Sequence, residues 1–109
     1  MATHTLLVFS NPIEGREAEY NRWYDEQHLP DVLKVPGVSA AQRFRLGEGQ
    51  KGDQRYLAVY ELNTNDAAAV TGELAKRAGT DAMPMSDALD TRSLGMTVYE
   101  AVSDRVEAG

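Results

Sequence analysis

The segment RYLAVYEL, Arg55 to Leu62, is apolar on both faces when read as a strand: Leu57 and Val59 point one way, Tyr56, Ala58 and Tyr60 the other. The first apolar run, TLLVFS from Thr5 to Ser10, repeats the pattern, with Leu7 and Phe9 opposed to Leu6 and Val8. A sheet built on such strands has to be covered on both faces. The chain has 109 residues and offers helical spacing for only two helical layers, which cover one face. The other face would be an apolar patch too large for a soluble monomer. A second copy, packed sheet on sheet about a two-fold axis, is the simplest cover, so a homodimer is expected.

The remaining elements follow from spacing and turn residues. After Ser10, Asn11 is placed as a helix N-cap, Pro12 at the first helical position and Glu14 three residues on, as in a capping box. In the helix that follows, Tyr20, Tyr24, Gln27, His28 and Asp31 share one face if it is continuous. Pro30 has no N–H for the Glu26 carbonyl and pushes Leu29 out of α geometry. The helix is therefore expected to end near His28, with a short second turn from Pro30 to Lys34 closed by Pro36-Gly37.

Val38 to Leu46 reads as a second strand, Gly47 to Asp53 as a glycine-rich hairpin loop, and Arg55 to Leu62 as the third strand. Asn65 and Asp66 can cap a helix through Val70 and Leu74 to Arg77, stopped by Gly79. A long loop, Gly79 to Thr91, carries one expected helical turn from Ser86 to Leu89, and the last strand is expected from Leu94 to about Val106. The order βαββαβ, without internal repeats, predicts a single domain over residues 1–109. Its class is α+β and ferredoxin-like: a four-stranded antiparallel sheet with two helices on one face.

Composition removes several functions. Eleven Lys and Arg against 17 Asp and Glu leave a net charge of −6, and the longest cationic run is Lys76-Arg77. Phosphate neutralisation needs clustered cations, so no nucleic-acid partner is expected. Without cysteine there is no disulfide framework, thiolate metal site or Cys nucleophile. Two histidines, His4 and His28, lie far apart in the chain, and no metal site is expected. The apolar run Leu6 to Phe9 falls far short of the ~20 residues of a membrane span. A cytoplasmic protein without membrane association is the expectation.

The stretch FSNPIEGREAEYNRWYDEQHLPDVLKVPGVSAAQRF, Phe9 to Phe44, resembles the EthD-like branch of the dimeric α/β-barrel superfamily. The resemblance rests on a strand, an Asn-Pro turn, a helix with an aromatic pair, a His-Leu-Pro-Asp element and a Pro-Gly-Val turn into a strand. It implies a ferredoxin-like dimeric α/β barrel. The superfamily includes cofactor-free monooxygenases, polyketide cyclases, muconolactone isomerases, haem-handling enzymes and members without known activity, so fold does not choose the reaction.

Among the residues, His28 with Asp31 is the sharpest constellation, flanked by Tyr20, Trp23 and Tyr24. At a helix C-terminus the unpaired carbonyls and the negative dipole end favour the imidazolium. Asp31, three residues on, is placed to accept a ring N–H and fix the tautomer. The two would form a general acid/base facing a cavity between helix and sheet, and related cyclases and isomerases are described as using a His on or near this helix. Mutual capping of a helix break by His28 and Asp31 is the plainer alternative. Trp23, Tyr20, Tyr24 and Tyr60 are candidates to line a substrate pocket, with core packing as their ordinary role. Arg43 is placed for a structural ion pair rather than a ligand, and Met83-Pro84-Met85 sits in a loop able to act as a lid.

The expected activity is cofactor-independent proton transfer by His28 on a hydrophobic or aromatic carbonyl or enol compound. Isomerisation, cyclisation, retro-aldol cleavage and dehydration all fit that chemistry. Cofactor-free monooxygenation and a non-catalytic ligand-binding or accessory dimer are the alternatives. A closed pocket of roughly 300 Å³ or more touching His28 is the observation that would favour the enzymatic reading, and a site filled by packed side chains would remove it.

Overall fold

The computed structural model describes residues 2–109. Its elements are β1 (His4–Pro12), α1 (Glu17–Trp23), a π-helical turn (Tyr24–His28), α2 (Leu29–Leu33), β2 (Val38–Arg45), β3 (Tyr56–Leu62), α3 (Ala67–Arg77) and β4 (Leu89–Glu100). The four strands form one antiparallel sheet in the order β2-β3-β1-β4. This is the ferredoxin-like arrangement. The α1–α2 run and α3 pack on one face. No helix among the described residues is long and apolar enough to cross a membrane.

The alternation read in the strands sets the two faces. Leu6, Val8 and Ser10 of β1, with Tyr56, Ala58, Tyr60 and Leu62 of β3, are buried beneath the helices. Tyr20, Tyr24, Val32, Val70 and Leu74 close on them from above. On the opposite face the register brings Leu7 beside Val59 and Phe9 beside Leu57, and all four are only partly buried. Phe44 at 45% exposure and Tyr99 at 60% lie at the strands flanking that patch.

Three local expectations are corrected. Asn11 and Pro12 do not open a helix; they end β1. The Asn11 side chain joins two loops instead, its amide donating to the Asp53 carbonyl (3.0 Å) and accepting from the Arg55 N–H (2.7 Å). Its backbone N–H bonds Ser93 Oγ at 2.7 Å. The helix starts at Glu17, with Arg16 as an N-cap that makes no side-chain cap bond.

Pro30 does not end the helix. The chain stays helical from Glu17 to Leu33, and Leu29 keeps α-helical angles (φ −58°, ψ −47°). The Leu29 N–H reaches back five residues to the Tyr24 carbonyl, so one wide turn shifts the bonding register. Pro30 then lies near the start of a fresh α-turn, where its missing N–H costs little.

The last strand runs from Leu89 to Glu100, not Leu94 to Val106. A bulge between Phe9 and Asn11 lets Asn11 and Pro12 pair with Asp90 and Leu89, which extends β4 at its start. Beyond Glu100 the Thr3 carbonyl, just ahead of β1, accepts from the Ala101 N–H at 2.8 Å, and the tail that follows is exposed. The segment before β4 holds turns rather than a helix. For α3, Asp66 supplies the cap, accepting from the Ala69 N–H at 3.0 Å.

Candidate functional site

A cavity of about 140 Å³ lies between the α1–α2 run, α3 and the β1–β4 side of the sheet. Trp23, Tyr24, His28 and Val32 line it from the first helical run, and Thr71, Leu74, Ala75 and Ala78 from α3. Leu6, Val8, Tyr60, Leu94 and Met96 come from the sheet, and Met83 and Met85 from the loop before it. Met85, Leu94 and Met96 are 40%, 42% and 50% exposed, which marks the mouth at the β4 edge. The volume is smaller than the expected 300 Å³ and close to the ~150 Å³ that holds one benzene ring in an engineered apolar cavity.

His28 is the last residue of the π-helical turn. Its ring stacks on Trp23 (4.6 Å between centroids, 27°) and meets Tyr24 edge-on (5.1 Å, 89°). Nδ1 is buried and has no hydrogen-bond partner. Burial lowers the imidazole to a pKa of about 4, against the opposing influence of the Asp31 charge. The ring is therefore neutral at pH 7. The expected imidazolium at a helix end is overturned on both counts, because the helix carries on past His28 and the surroundings are aromatic.

Asp31 is not hydrogen-bonded to His28. It is 5% exposed and accepts from Gln27 Nε2 at 2.6 Å, with Lys34 Nζ 3.9 Å away. A continuous helix places Gln27 and Asp31 four residues apart on one face, and the amide takes the carboxylate. Asp31 thus acts on the imidazole through its charge alone.

Tyr60 is 2% exposed, borders the cavity and carries the second buried polar atom without a partner, its Oη. Burial holds its phenol protonated far above the ordinary range, and the neighbouring Tyr24 adds to this. Tyr24 itself is pushed up to about 12, mainly by burial. Of the aromatic candidates, Trp23, Tyr24 and Tyr60 meet at the cavity, whereas Tyr20 does not line it. Tyr20 is fully buried and shares a 2.6 Å hydrogen bond with Ser10.

Arg43 holds the far side of this aromatic group. Its guanidinium lies 4.5 Å over the Tyr24 ring, 5.2 Å over Tyr56 and 5.4 Å over Tyr20. It donates to Asp25 and Asn21, both at 2.8 Å. The guanidinium is held in structural contacts, as expected from its strand position. Tyr56 in turn bonds the Glu17 carboxylate.

Leu94 and Met96 were absent from the candidates, although their alternation along β4 marks them as facing the helices. Trp23 Nε1 donates to the Pro84 carbonyl at 3.0 Å and pins the Met83–Met85 loop across the cavity. No group of three His, Asp or Glu side chains suited to a metal occurs among the described residues.

No family model and no curated protein sequence matches the chain. Its fold does match solved structures. The haem degrader MhuD of Mycobacterium tuberculosis, with two haems bound in its active site, superposes with a TM-score of 0.65 at 17% identity, over 94% of this chain and 99% of that one. An EthD-family protein of Bacillus halodurans gives 0.54 at 15% identity, over 92% and 99%. A putative monooxygenase of Shewanella loihica gives 0.57 at 13% identity, over 95% and 99%. The EthD-like resemblance in the sequence is thus matched in three dimensions, and the chain has the ferredoxin-like fold that EthD-family and haem-degrading proteins share.

Proposed function

We propose that the protein is a small, cytoplasmic, homodimeric enzyme that moves a proton on a hydrophobic or aromatic carbonyl or enol compound without a cofactor. One observation carries the reading: His28 Nδ1 and Tyr60 Oη, both buried without partners, belong to residues lining a single apolar cavity. An unsatisfied buried polar group costs roughly 1–3 kcal/mol, which a ligand polar group recovers once a shift of the lining uncovers the atom.

In this reading Tyr60, held protonated by burial, donates to the ligand's carbonyl oxygen. His28 is neutral and takes the proton from the adjacent carbon. The nearby Asp31 charge stabilises the imidazolium that forms, the same influence that opposes burial in the resting ring. Returning the proton to another carbon gives isomerisation. Cyclisation, retro-aldol cleavage and dehydration draw on the same enolic intermediate.

The homodimer is supported by the side-by-side Leu7, Phe9, Leu57 and Val59 on the helix-free face. A second copy there would bury them on a two-fold axis.

Haem, bound by MhuD, does not fit these residues. About 140 Å³ accommodates one ring rather than four pyrroles, and no Lys or Arg lines the cavity to meet the propionates. Cofactor-free oxygenation is a second reading, supported by the fold shared with the Shewanella loihica putative monooxygenase. There His28 would deprotonate an electron-rich phenol or enol that itself supplies electrons to oxygen.

The test is a thermal-shift screen of neutral aromatic and enolic compounds on wild type and His28→Ala, followed by turnover of each stabilising compound. Enzymatic function predicts that His28→Ala stays folded and dimeric while turnover falls at least 100-fold. Binding with no turnover in wild type would make the protein an accessory or ligand-binding dimer.

A further inference from the structure

The lining of the cavity also constrains what enters it. No Lys, Arg, Asp or Glu is among the lining residues. The cation nearest the aromatic wall, Arg43, is engaged by Asp25 and Asn21 on the far side of the Tyr24 ring. The one charge felt at His28 is the buried carboxylate of Asp31, which repels an anion. Lys34 stands beside that carboxylate but is itself 74% exposed and solvated.

Size and polarity narrow the choice further. A volume of about 140 Å³ matches one six-membered ring. Tyr60 Oη is buried beside the Tyr24 phenol without a hydrogen-bond partner, so a ligand oxygen pairs with it once the lining shifts to uncover it. Methionines 83, 85 and 96 adapt to varied apolar shapes near the mouth.

We infer that the cavity takes an uncharged single-ring compound bearing a carbonyl oxygen, seated with that oxygen against Tyr60 and with bulkier substituents leaving past Leu94 and Met96. The inference rests on the proposal that this cavity is the working site. Selectivity against anions comes from exclusion, because a carboxylate would lose its hydration and gain no cation. Selectivity against plain hydrocarbons comes from the Tyr60 hydroxyl, which they leave unpaired.

Acetophenone, benzoate and ethylbenzene are near-isosteric probes that separate these terms. Binding is measured by titration calorimetry at pH 7. Trp23, the only tryptophan in the chain and part of the cavity wall, reports occupancy by fluorescence. Acetophenone is expected to bind at least tenfold more tightly than either benzoate or ethylbenzene, with a change in Trp23 emission. Tyr60→Phe, which keeps the ring, is expected to lose about tenfold for acetophenone and nothing for ethylbenzene.

Benzoate binding as tightly as acetophenone, an unchanged affinity in Tyr60→Phe, or acetophenone leaving Trp23 emission unmoved would each overturn the inference. Exchange of the acetophenone methyl protons for solvent deuterium separates this from the proton-transfer reading. Selective binding with exchange indifferent to His28→Ala upholds the ligand class and removes the catalytic role. Turnover of a charged or polycyclic compound that depends on His28 does the reverse.

Discussion

The imidazole of His28 lies against the indole of Trp23, with ring centroids 4.6 Å apart and planes inclined by 27°. This contact, with Tyr24 edge-on, keeps a titratable ring in an aromatic enclosure. The consequence is a pKa of about 4 in the folded chain against an ordinary 6.5.

The direction of the pH effect follows. Between these two values the unfolded chain binds a proton that the folded chain refuses. Stability is therefore fully held above about pH 6.5 and declines as pH falls towards the folded value of about 4. Urea unfolding at pH 7 and pH 4.5 should show wild type losing about 2 kcal/mol more than His28→Leu over this interval. Equal losses in the two proteins would mean that His28 titrates normally.

Arg43 joins β2 to the first helical run through the rings of Tyr20 and Tyr24 and two hydrogen bonds and also covers Tyr56 of β3, with its side chain 12% exposed. Arg43→Ala should cost about 2 kcal/mol in chemical denaturation, through lost packing as much as lost charge. Arg43→Lys should recover less than half of it, because an ammonium neither stacks nor holds Asp25 and Asn21 together.

Gly37 has φ +98°, and a Cβ there would stand 2.7 Å from Val70 Cγ2 on α3. Gly37→Ala meets both a left-handed backbone and a clash, so a loss of about 2 kcal/mol is expected. A thermal midpoint within a degree of wild type would refute this.

Leu57 and Val59 face away from the helices beside Phe9 and Leu7. Sedimentation equilibrium at micromolar concentration should find wild type as a dimer and Val59→Glu as a folded monomer. A monomeric wild type would remove the sheet-to-sheet dimer altogether.

Much of the architecture was legible because strands declare themselves by alternation and glycines by their turns. Leu57 and Val59 against Tyr56, Ala58 and Tyr60 separate into two faces in the structure as the period of two requires. Asp66 caps α3 through a local bond that needs no tertiary partner. Asn11 carries equally good capping chemistry, yet its side chain was claimed by Arg55 and Asp53, which are more than forty residues away. Local preference loses wherever a distant backbone offers a better partner.

The site divides in the same way. By itself the sequence determined the order of elements, the two apolar sheet faces and the proximity of His28 to Trp23 and Tyr24, since these depend on periodicity and neighbouring turns. Only the tertiary structure decided that Asp31 bonds Gln27 and that Tyr60, from a strand over thirty residues away, meets His28 at one cavity. It also decided that His28 is neutral, because desolvation depends on what surrounds a ring in space. The π-helical turn that absorbs Pro30 brings this about, carrying the helix past His28 and leaving its ring against Trp23.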